Sequence, residues 1–240
     1  MINKIICGDC LEVMKQIPDG SIDAVICDPP YGTTNCKWDT CIPFEPMWEQ
    51  LKRITKKNGA IVLFGSQPFT SALVMSNLKM FKYEWVWRKE RGTGFQVAKY
   101  RPMIETEGVL VFCKTTPKYN PQMIPLAKPV KESFAGSKSG SSPIANLNKG
   151  SRIATHRYPK NIIEIARDTN RLHPTQKPVA LMEYLIRTYT NEGEIVLDFT
   201  CGSGTTCLAA KNLNRNFIGI EQSEEYCEIA RKRVTESETT

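Results

Sequence analysis

The chain is poor in histidine, the side chain most often used for acid and base catalysis near neutral pH. Only 2 of its 240 residues, His156 and His173, are histidines. No Ser/His/Asp set, phosphate-binding lysine loop or carboxylate pair at an acid and base spacing stands out in the sequence. Hydrolysis and phosphoryl transfer therefore have no support.

Long apolar runs are also missing. No stretch approaches the roughly 20 apolar residues of a membrane span, and the first residues do not have the pattern of a signal peptide. The 9 cysteines are scattered rather than densely spaced, so we expect reduced thiols in a soluble, cytoplasmic protein. Cys7-x-x-Cys10, taken with Cys36 and Cys41, has no accompanying histidine pair, and we expect no metal site.

Positive charge is concentrated in the middle of the chain. The range 79–177 holds 19 Lys and Arg against 7 Asp and Glu, whereas the remaining residues carry a net charge of −5. Because Lys and Arg neutralise phosphate, this distribution predicts a surface for nucleic acid. A solvated, lysine-rich loop would give the same distribution, and charge alone leaves both interpretations open.

Short apolar runs alternate with longer amphipathic stretches, which is the pattern of parallel strands joined by crossover helices. The predicted strands are Lys4 to Cys7, Ala24 to Cys27, Ala60 to Phe64, Tyr83 to Trp87, Val109 to Cys113, Ile195 to Phe199 and Asn216 to Ile220. The predicted helices are Leu11 to Ile17, Phe44 to Ile54, Pro68 to Leu78, Val179 to Tyr189, Thr205 to Leu213 and Ser223 to Val234. We therefore predict an α/β fold with one open, mostly parallel, seven-stranded sheet.

The segment from Thr115 to Asn170 interrupts this alternation. It is rich in Pro, Ser, Gly and Lys and shows little periodicity. A linker or a partly disordered loop explains this composition, and an inserted module with its own function does so too.

Asp28-Pro29-Pro30-Tyr31 directly follows an apolar strand, at a carboxyl end where open α/β sheets bind ligands. An aromatic amino group is a poor nucleophile because its lone pair is delocalised into the ring. The Asp28 carboxylate and the Pro29 carbonyl oxygen could accept its two hydrogens, with the prolines holding that carbonyl in place. Tyr31 offers a ring for stacking on a nucleobase, a contact worth about 1–3 kcal/mol. A rigid turn with a capping Asp is the structural alternative.

A glycine-rich turn joins a strand to a helix near the end of the chain, in the motif Asp198-Phe199-Thr200-Cys201-Gly202-Ser203-Gly204-Thr205-Thr206. Its glycines allow the backbone to approach a ligand, and the helix N-terminus supplies N–H groups for a carboxylate. One such turn is weak support by itself. Here the next strand ends in Glu221, whose carboxylate is placed to hold ribose hydroxyls. The two features together predict a nucleoside cofactor.

At these residues the chain resembles the DNA amino-methyltransferases that use S-adenosylmethionine. It is similar to their beta arrangement, because the Asp-Pro-Pro-Tyr motif precedes the glycine loop. The resemblance implies a single Rossmann-like methyltransferase domain, with a catalytic half over 1–114, a target-recognition insertion over 115–170 and a cofactor-binding half over 171–240. One departure is Phe199-Thr200, where family members often have Pro-Phe. The residues that the resemblance makes catalytic are Asp28, Pro29, Pro30 and Tyr31.

Two further segments match the family pattern. Cys7-Gly8-Asp9-Cys10 is similar to the element whose Asp binds the cofactor's adenine amino group, although Asp9 would also cap a helix. The hexapeptide from His173 to Pro178 resembles the element that contacts the methionine end. Trp38, in a stretch that is often mobile in the family, is a candidate lid residue. The residues that the resemblance assigns to S-adenosylmethionine are Asp9, Cys10, His173, Thr175, Gln176, Lys177, Asp198, Thr200, Cys201, Gly202, Ser203, Gly204, Thr205, Glu221 and Gln222.

The basic residues of the interrupting segment would then contact phosphate and base edges of DNA. They are Lys118, Lys128, Lys131, Lys138, Lys149, Arg152, Arg157 and Lys160. The implied partner is double-stranded DNA with the target base turned out of the duplex, because the amino group is otherwise buried in base pairing. No membrane partner is expected, and the sequence leaves the oligomeric state open, a homodimer included.

The implied activity is site-specific methylation of the N6 amino group of adenine in DNA, as in restriction-modification systems. N4-cytosine methylation is the main rival, since both targets are amino groups beside a ring nitrogen. Family members that act on cytosine more often begin the first motif with Ser, so Asp28 favours adenine. A catalytically silent DNA-binding subunit with the same fold is the rival from another class.

Overall fold

The structure, a computed structural model, describes residues 1–32, 40–134, 150–169 and 176–236. The chain folds as two compact units. The main unit comprises Met1–Asn120 and Asn161–Thr240, and the inserted unit comprises Pro121–Lys160. All the residues predicted to act in catalysis or cofactor binding belong to the main unit.

The main unit is built on one large sheet. Its strands are β1 (Lys4–Cys7), β2 (Ile22–Cys27), β3 (Thr55–Gly65), β4 (Phe81–Thr93), β5 (Ile104–Phe112), β8 (Ile162–Glu164), β9 (Ile195–Asp198) and β10 (Asn216–Glu221). Their order is β1-β10-β9-β2-β3-β5-β4-β8. Neighbouring strands are parallel, except that β5 runs antiparallel to both β3 and β4. The prediction of an α/β fold with a mostly parallel sheet is confirmed.

Helices cover both faces of this sheet. They are α1 (Cys10–Met14), α2 (Phe44–Ile54), α3 (Phe69–Ser76), α4 (Val179–Tyr189), α5 (Thr205–Asn212) and α6 (Glu224–Glu236). Helices α4, α5 and α6 pack in one apolar core, whereas α1, α2 and α3 pack in the other. Along β2, Ala24 and Ile26 point into the first core, and Val25 and Cys27 point into the second. A strand buried on both faces reads as a continuous apolar run, as β2 does. None of the described helices is long and apolar enough to cross a membrane.

All seven predicted strands and all six predicted helices are present, and α2 and α4 match their predicted bounds at both ends. The sheet has an eighth strand that we did not predict. This strand, β8, has only three residues and lies in the segment that interrupts the alternation, where it pairs in parallel with β4. A strand so short gives little periodicity in sequence.

The inserted unit is an antiparallel hairpin of β6 (Ile124–Phe134) and β7 (Gly150–Arg157). The apparent lack of periodicity in this part of the chain was therefore misleading. Pro125 and Pro129 interrupt the strand pattern of β6 in sequence, and the pairing register shifts between Pro125 and Val130. Proline is tolerated there because, among the described residues, β6 pairs with one strand only, β7, and its other edge carries no ladder.

The order of the sheet brings the two predicted motifs together. Strands β2 and β9 are parallel neighbours, with Val25 opposite Leu197. The chain continues from β2 to β3 on one side and from β9 to β10 on the other, so the strand order reverses between them. Open α/β sheets bind ligands at such a reversal, beyond the carboxyl ends of the strands. The turns that begin at Asp28 and at Phe199 therefore emerge side by side.

Candidate active site

A cavity of about 1120 Å³ lies at the carboxyl ends of β1, β10, β9 and β2. Ligand clefts usually measure roughly 300–1,000 Å³, so this one has room for a nucleoside and a further group. The predicted site residues that line it are Asp9, Cys10, Asp28, Pro29, Pro30, Tyr31, Gln176, Lys177, Asp198, Thr200, Cys201, Gly202, Ser203, Thr205, Glu221 and Gln222. Residues separated by up to 213 positions thus share one site.

The glycine loop between β9 and α5 has a backbone that favours glycine. Gly202 has a φ of 50° and Gly204 a φ of 77°, both in the left-handed region. A Cβ on Gly204 would lie 2.9 Å from the Ala230 Cβ on α6. Gly204 does not line the cavity; it allows α5 to begin close to α6, which leaves Thr205 on the cavity wall.

The Glu221 carboxylate at the end of β10 braces this loop. Its Oε2 accepts a hydrogen bond from the Gly202 backbone N–H at 2.9 Å, and its Oε1 accepts one from the Ser223 N–H at 2.9 Å. A carboxylate has about four acceptor positions, so both oxygens can still accept hydrogen bonds from ribose hydroxyls. These acceptor positions of the Glu221 carboxylate therefore fit the hydroxyl groups of a bound nucleoside.

Two aspartates complete this half of the cavity. Asp9 caps α1, where its Oδ1 accepts from the backbone N–H groups of Leu11 at 2.8 Å and Glu12 at 3.2 Å. The capping role is therefore real, and Asp9 also lines the cavity. Burial raises the pKa of Asp198 to about 6, and its Oδ1 accepts from the Thr200 N–H at 3.2 Å.

Thr200 joins the two motifs directly. Its hydroxyl donates to the backbone carbonyl oxygen of Asp28 at 3.1 Å and lies 3.0 Å from the Cys27 Sγ. Thr200 stands where family members often have the Phe of Pro-Phe, and a phenylalanine side chain has no hydroxyl to donate to Asp28. At this position the chain therefore has a side chain that forms a hydrogen bond between the turn after β9 and the catalytic turn.

The Asp28 side chain is held at both oxygens. The Tyr31 hydroxyl donates to Oδ1 at 2.5 Å, and the Lys177 ammonium pairs with Oδ2. Burial is the largest influence and raises the pKa of Asp28; the Glu107 charge adds to this, and Lys177 opposes it. The resemblance places Lys177 at the methionine end of the cofactor, but here its ammonium lies against the catalytic turn.

A second carboxylate organises the same cluster. Glu107 on β5 shares the single Tyr31 hydroxyl hydrogen with Asp28, its Oε1 lying 2.9 Å from the hydroxyl oxygen. It also pairs with the ammonium groups of Lys177 and Lys89, each at 2.9 Å. Burial would raise the pKa of Glu107, but the two lysines lower it to about 2. Burial would lower the pKa of Lys177, but the carboxylates of Asp28 and Glu107 raise it. Two cations and two anions thus compensate one another in a buried site.

Sequence reasoning missed Lys89 and Glu107. Both line the cavity, from the adjacent strands β4 and β5. One signal was available: Glu107 stands at the start of the apolar run Gly108 to Phe112, where a buried charge needs a partner. Of the residues that precede Lys89 on β4, Trp85 and Trp87 are buried in the apolar core.

The Tyr31 ring packs on Phe69 of α3, with centroids 5.0 Å apart and planes inclined by 28°. The Lys177 Nζ lies 6.0 Å from the Tyr31 centroid. The Tyr31 ring is thus held by Phe69 on its face and by Asp28 and Glu107 at its hydroxyl. Tyr31 therefore forms a fixed surface at the cavity rather than a mobile side chain.

Gln176 connects the segment before α4 to the glycine loop. Its Oε1 accepts from the Ser203 hydroxyl at 3.2 Å, and its Nε2 donates to Asp168 at 3.3 Å. The Arg233 guanidinium on α6 donates to the Ser203 carbonyl oxygen at 3.2 Å and to the Thr205 hydroxyl at 2.9 Å. The wall predicted to face the cofactor is thus fixed from two sides.

The residues predicted to contact DNA belong to both units. Lys118 belongs to the main unit and pairs with Glu194, which precedes β9 at the amino edge of the sheet, opposite the cavity. On the inserted unit, Arg152 pairs with Glu132 at 2.8 Å. The remaining predicted contacts in the described part of that unit are exposed, and they are Lys128, Lys131, Arg157 and Lys160.

Several predictions fall outside the described residues. These concern Trp38 as a lid, Lys138 and Lys149 as DNA contacts, and His173 and Thr175 at the cofactor. The part of the chain that is described contains no group of three or more His, Cys, Asp and Glu suited to a metal ion.

Comparison with known proteins adds to this geometry. The family model N6_N4_Mtase, described as DNA methylase, matches residues 22–232. The type II methyltransferase M.HpaI of Haemophilus parainfluenzae is 32% identical over 248 residues, which cover 98% of this chain and 74% of that protein.

Solved structures agree. The M1.HpyAVI–SAM complex matches with a TM-score of 0.64 and 28% identity, over 96% of this chain and 98% of the other. The PvuII DNA methyltransferase, described as cytosine-N4-specific, has a TM-score of 0.70 at 18% identity, over 95% of this chain and 85% of the other. The latter likeness concerns the fold alone.

Proposed function

Because this chain belongs to the N6/N4 DNA methylase family, we propose that it is a site-specific enzyme that methylates the N6 amino group of adenine in DNA. That it is a DNA amino-methyltransferase using S-adenosylmethionine follows from the family itself. The observation that carries the finer proposal is the Asp28 carboxylate at the cavity, held by Tyr31 and Lys177.

The proposed mechanism relies on positioning. S-adenosylmethionine, when bound, would supply a sulfonium methyl group: the bond from the amino nitrogen to the methyl carbon would form in line as the carbon–sulfur bond breaks, and the sulfur would leave as a neutral thioether. The methylated nitrogen would then lose one hydrogen as a proton to Asp28, which accepts that hydrogen in the proposed complex. Glu221, Asp9 and the glycine loop would hold the nucleoside, and Tyr31 would stack on the turned-out base. Asp28 and the Pro29 carbonyl would accept the two amino hydrogens, which localises the nitrogen lone pair toward the methyl group.

Asp28 supports adenine over cytosine by the family pattern, in which cytosine enzymes more often carry Ser at this position. The fold does not decide the base, because the cytosine-N4-specific PvuII enzyme shares it. Sequencing of methylated bases in DNA from cells that express this chain and lack other methyltransferases tests the proposal. We expect N6-methyladenine at one short recognition sequence; N4-methylcytosine would overturn the adenine assignment.

Glu221→Ala should weaken S-adenosylmethionine binding by about 1.5–3 kcal/mol, the usual scale for hydrogen bonds to a charged group. The variant loses the proposed ribose acceptor and the brace on Gly202. Isothermal titration calorimetry measures the change. Glu228→Ala, on the exposed side of α6, is the matched control and should bind like the wild type. An unchanged dissociation constant in Glu221→Ala would remove this residue from the cofactor site.

The range 115–170, which contains the inserted unit, should determine which DNA sequence is methylated. It is basic and carries none of the residues proposed for chemistry. The test exchanges residues 121–160 for the corresponding hairpin of a related enzyme and maps methylated sites by sequencing. We expect the specificity of the donor enzyme. An active, folded exchange protein that methylates the original sequence would assign recognition elsewhere and leave this segment as a linker.

A further inference from the structure

We propose that the tip of the β4–β5 hairpin, residues 91–104, is a second DNA-binding surface that holds the sugar–phosphate backbone beside the target base. The proposal rests on DNA being the substrate and adds a surface on the main unit. None of the residues assigned above to DNA contact lies in this tip.

Charge is the first observation. Arg91, Lys99 and Arg101 are exposed, and no salt bridge within the described ranges involves them. No Asp or Glu occurs between Arg91 and Ile104, so the tip carries a net charge of +3. At its base, Glu90 is already paired with Arg167 at 3.1 Å. The tip thus presents uncompensated cations that suit phosphate.

Exposed aromatic rings are the second observation. Tyr100 is 88% exposed and Phe95 is 79% exposed, the two highest values among the large hydrophobic side chains that the structure describes. Met103 and Ile104 are also exposed, at 43% each. All four apolar side chains lie within the ten residues from Phe95 to Ile104, and clustered exposed apolar side chains mark interaction sites. Rings interleaved with cations are the combination that binds unstacked bases and their backbone.

Position is the third observation. Trp87, Lys89 and Thr93 of β4, together with Glu107 of β5, line the cavity. The two strands that carry the tip are therefore one wall of the site that the target base must enter. A base turned out of the duplex leaves its neighbours unstacked, and the tip extends from the wall beside them.

The tip has a defined backbone. Gly94 has a φ of 90°, in the left-handed region, and precedes a 3-10 turn at Phe95–Val97. The backbone N–H groups of Tyr100 and Arg101 both donate to the Val97 carbonyl oxygen, at 2.9 and 3.1 Å. Basic and aromatic side chains are thus presented from an ordered turn, which reduces the entropy lost on binding.

The test measures binding to a duplex oligonucleotide by fluorescence anisotropy across a series of salt concentrations. The variant R91Q/K99Q/R101Q should reduce the slope of log affinity against log salt by about 2.7, since each lost phosphate contact contributes about 0.9. The matched control, K4Q/K52Q/K57Q, removes three exposed lysines at or near the amino edge of the sheet, and its slope should stay near the wild-type value. Equal slopes for the two triple variants would overturn the proposal.

A second variant tests the rings. F95A/Y100A should weaken binding by about 5- to 150-fold for each base that loses a stacking partner, with an unchanged salt slope. Wild-type affinity would remove the rings from the interface. S-adenosylmethionine binding is measured on every variant to show that it is folded. If the triple variant does not fold, the single variant K99Q tests the charge instead, and its salt slope should fall by about 0.9. Failure of the wild type to methylate DNA would instead refute the proposed function.

Discussion

Asp28→Ala should lower the rate of methyl transfer by at least about 10²–10³-fold, the scale for losing one preorganised hydrogen-bonding group at a reacting centre. Cofactor affinity should be largely retained, because the residues proposed to hold the nucleoside lie at or just beyond the carboxyl ends of β1, β9 and β10. Single-turnover transfer of a labelled methyl group, run beside isothermal titration with S-adenosylmethionine, measures both quantities.

Asp19→Ala is the matched control for Asp28→Ala. Asp19 is an exposed carboxylate, 77% accessible, whose partner is the half-buried guanidinium of Arg53. Its loss should leave turnover near the wild-type value, as is usual for exposed ion pairs. Asp28→Asn separates charge from shape, since the amide still offers an acceptor oxygen. Near wild-type turnover in Asp28→Ala would contradict the assignment of this residue to the amino group.

The pH dependence of the reaction should move in opposite directions in Lys177→Gln and Glu107→Gln. Asp28 must be ionised to accept an amino hydrogen well, so the acid limb of kcat/KM follows its pKa. Lys177 lowers the pKa of Asp28 and Glu107 raises it. Lys177→Gln should therefore shift the acid limb to higher pH, and Glu107→Gln should shift it to lower pH.

The magnitude of this effect is set by the ionised fraction of Asp28. On the acidic side of the limb, each unit of pKa change alters the rate about tenfold. The double variant removes one charge of each sign, and its acid limb should lie between those of the single variants. Residues that only support the fold would lower activity without moving the pH profile. Shifts of both single variants in the same direction would contradict the electrostatic account.

The fold could be predicted because its strands and helices alternate, and because apolar residues follow a different pattern in each. Strand β2 is buried on both faces, and its run of apolar residues is unambiguous. Helices α2 and α4 begin just after a proline and end before a strand, which fixed their bounds in sequence. Strand β8 could not be predicted, because its three residues form a strand only through their pairing with β4. In β6, two prolines concealed a strand that tertiary pairing stabilises.

The candidate site could be predicted for residues that have a recognisable chemical role and stand at the end of a strand in the sequence. Asp28 and the glycine loop each follow a strand and Glu221 ends one, so their meeting at one edge follows from a parallel sheet. Glu107 lies on the antiparallel strand β5, and its approach to Lys177, 70 positions away, depends on the sheet order. Local sequence carries no signal for such a pairing.

The most direct test of the central claim is to identify the methylated nucleoside. Purified protein, labelled S-adenosylmethionine and DNA are incubated, the DNA is digested to nucleosides, and the labelled product is identified by chromatography and mass spectrometry. N6-methyladenine, formed at least about 10²-fold more slowly when Asp28→Ala replaces the wild type, is the result that the account predicts. Label in N4-methylcytosine would contradict the adenine assignment, and cofactor binding without any labelled nucleoside would point to a catalytically silent DNA-binding subunit.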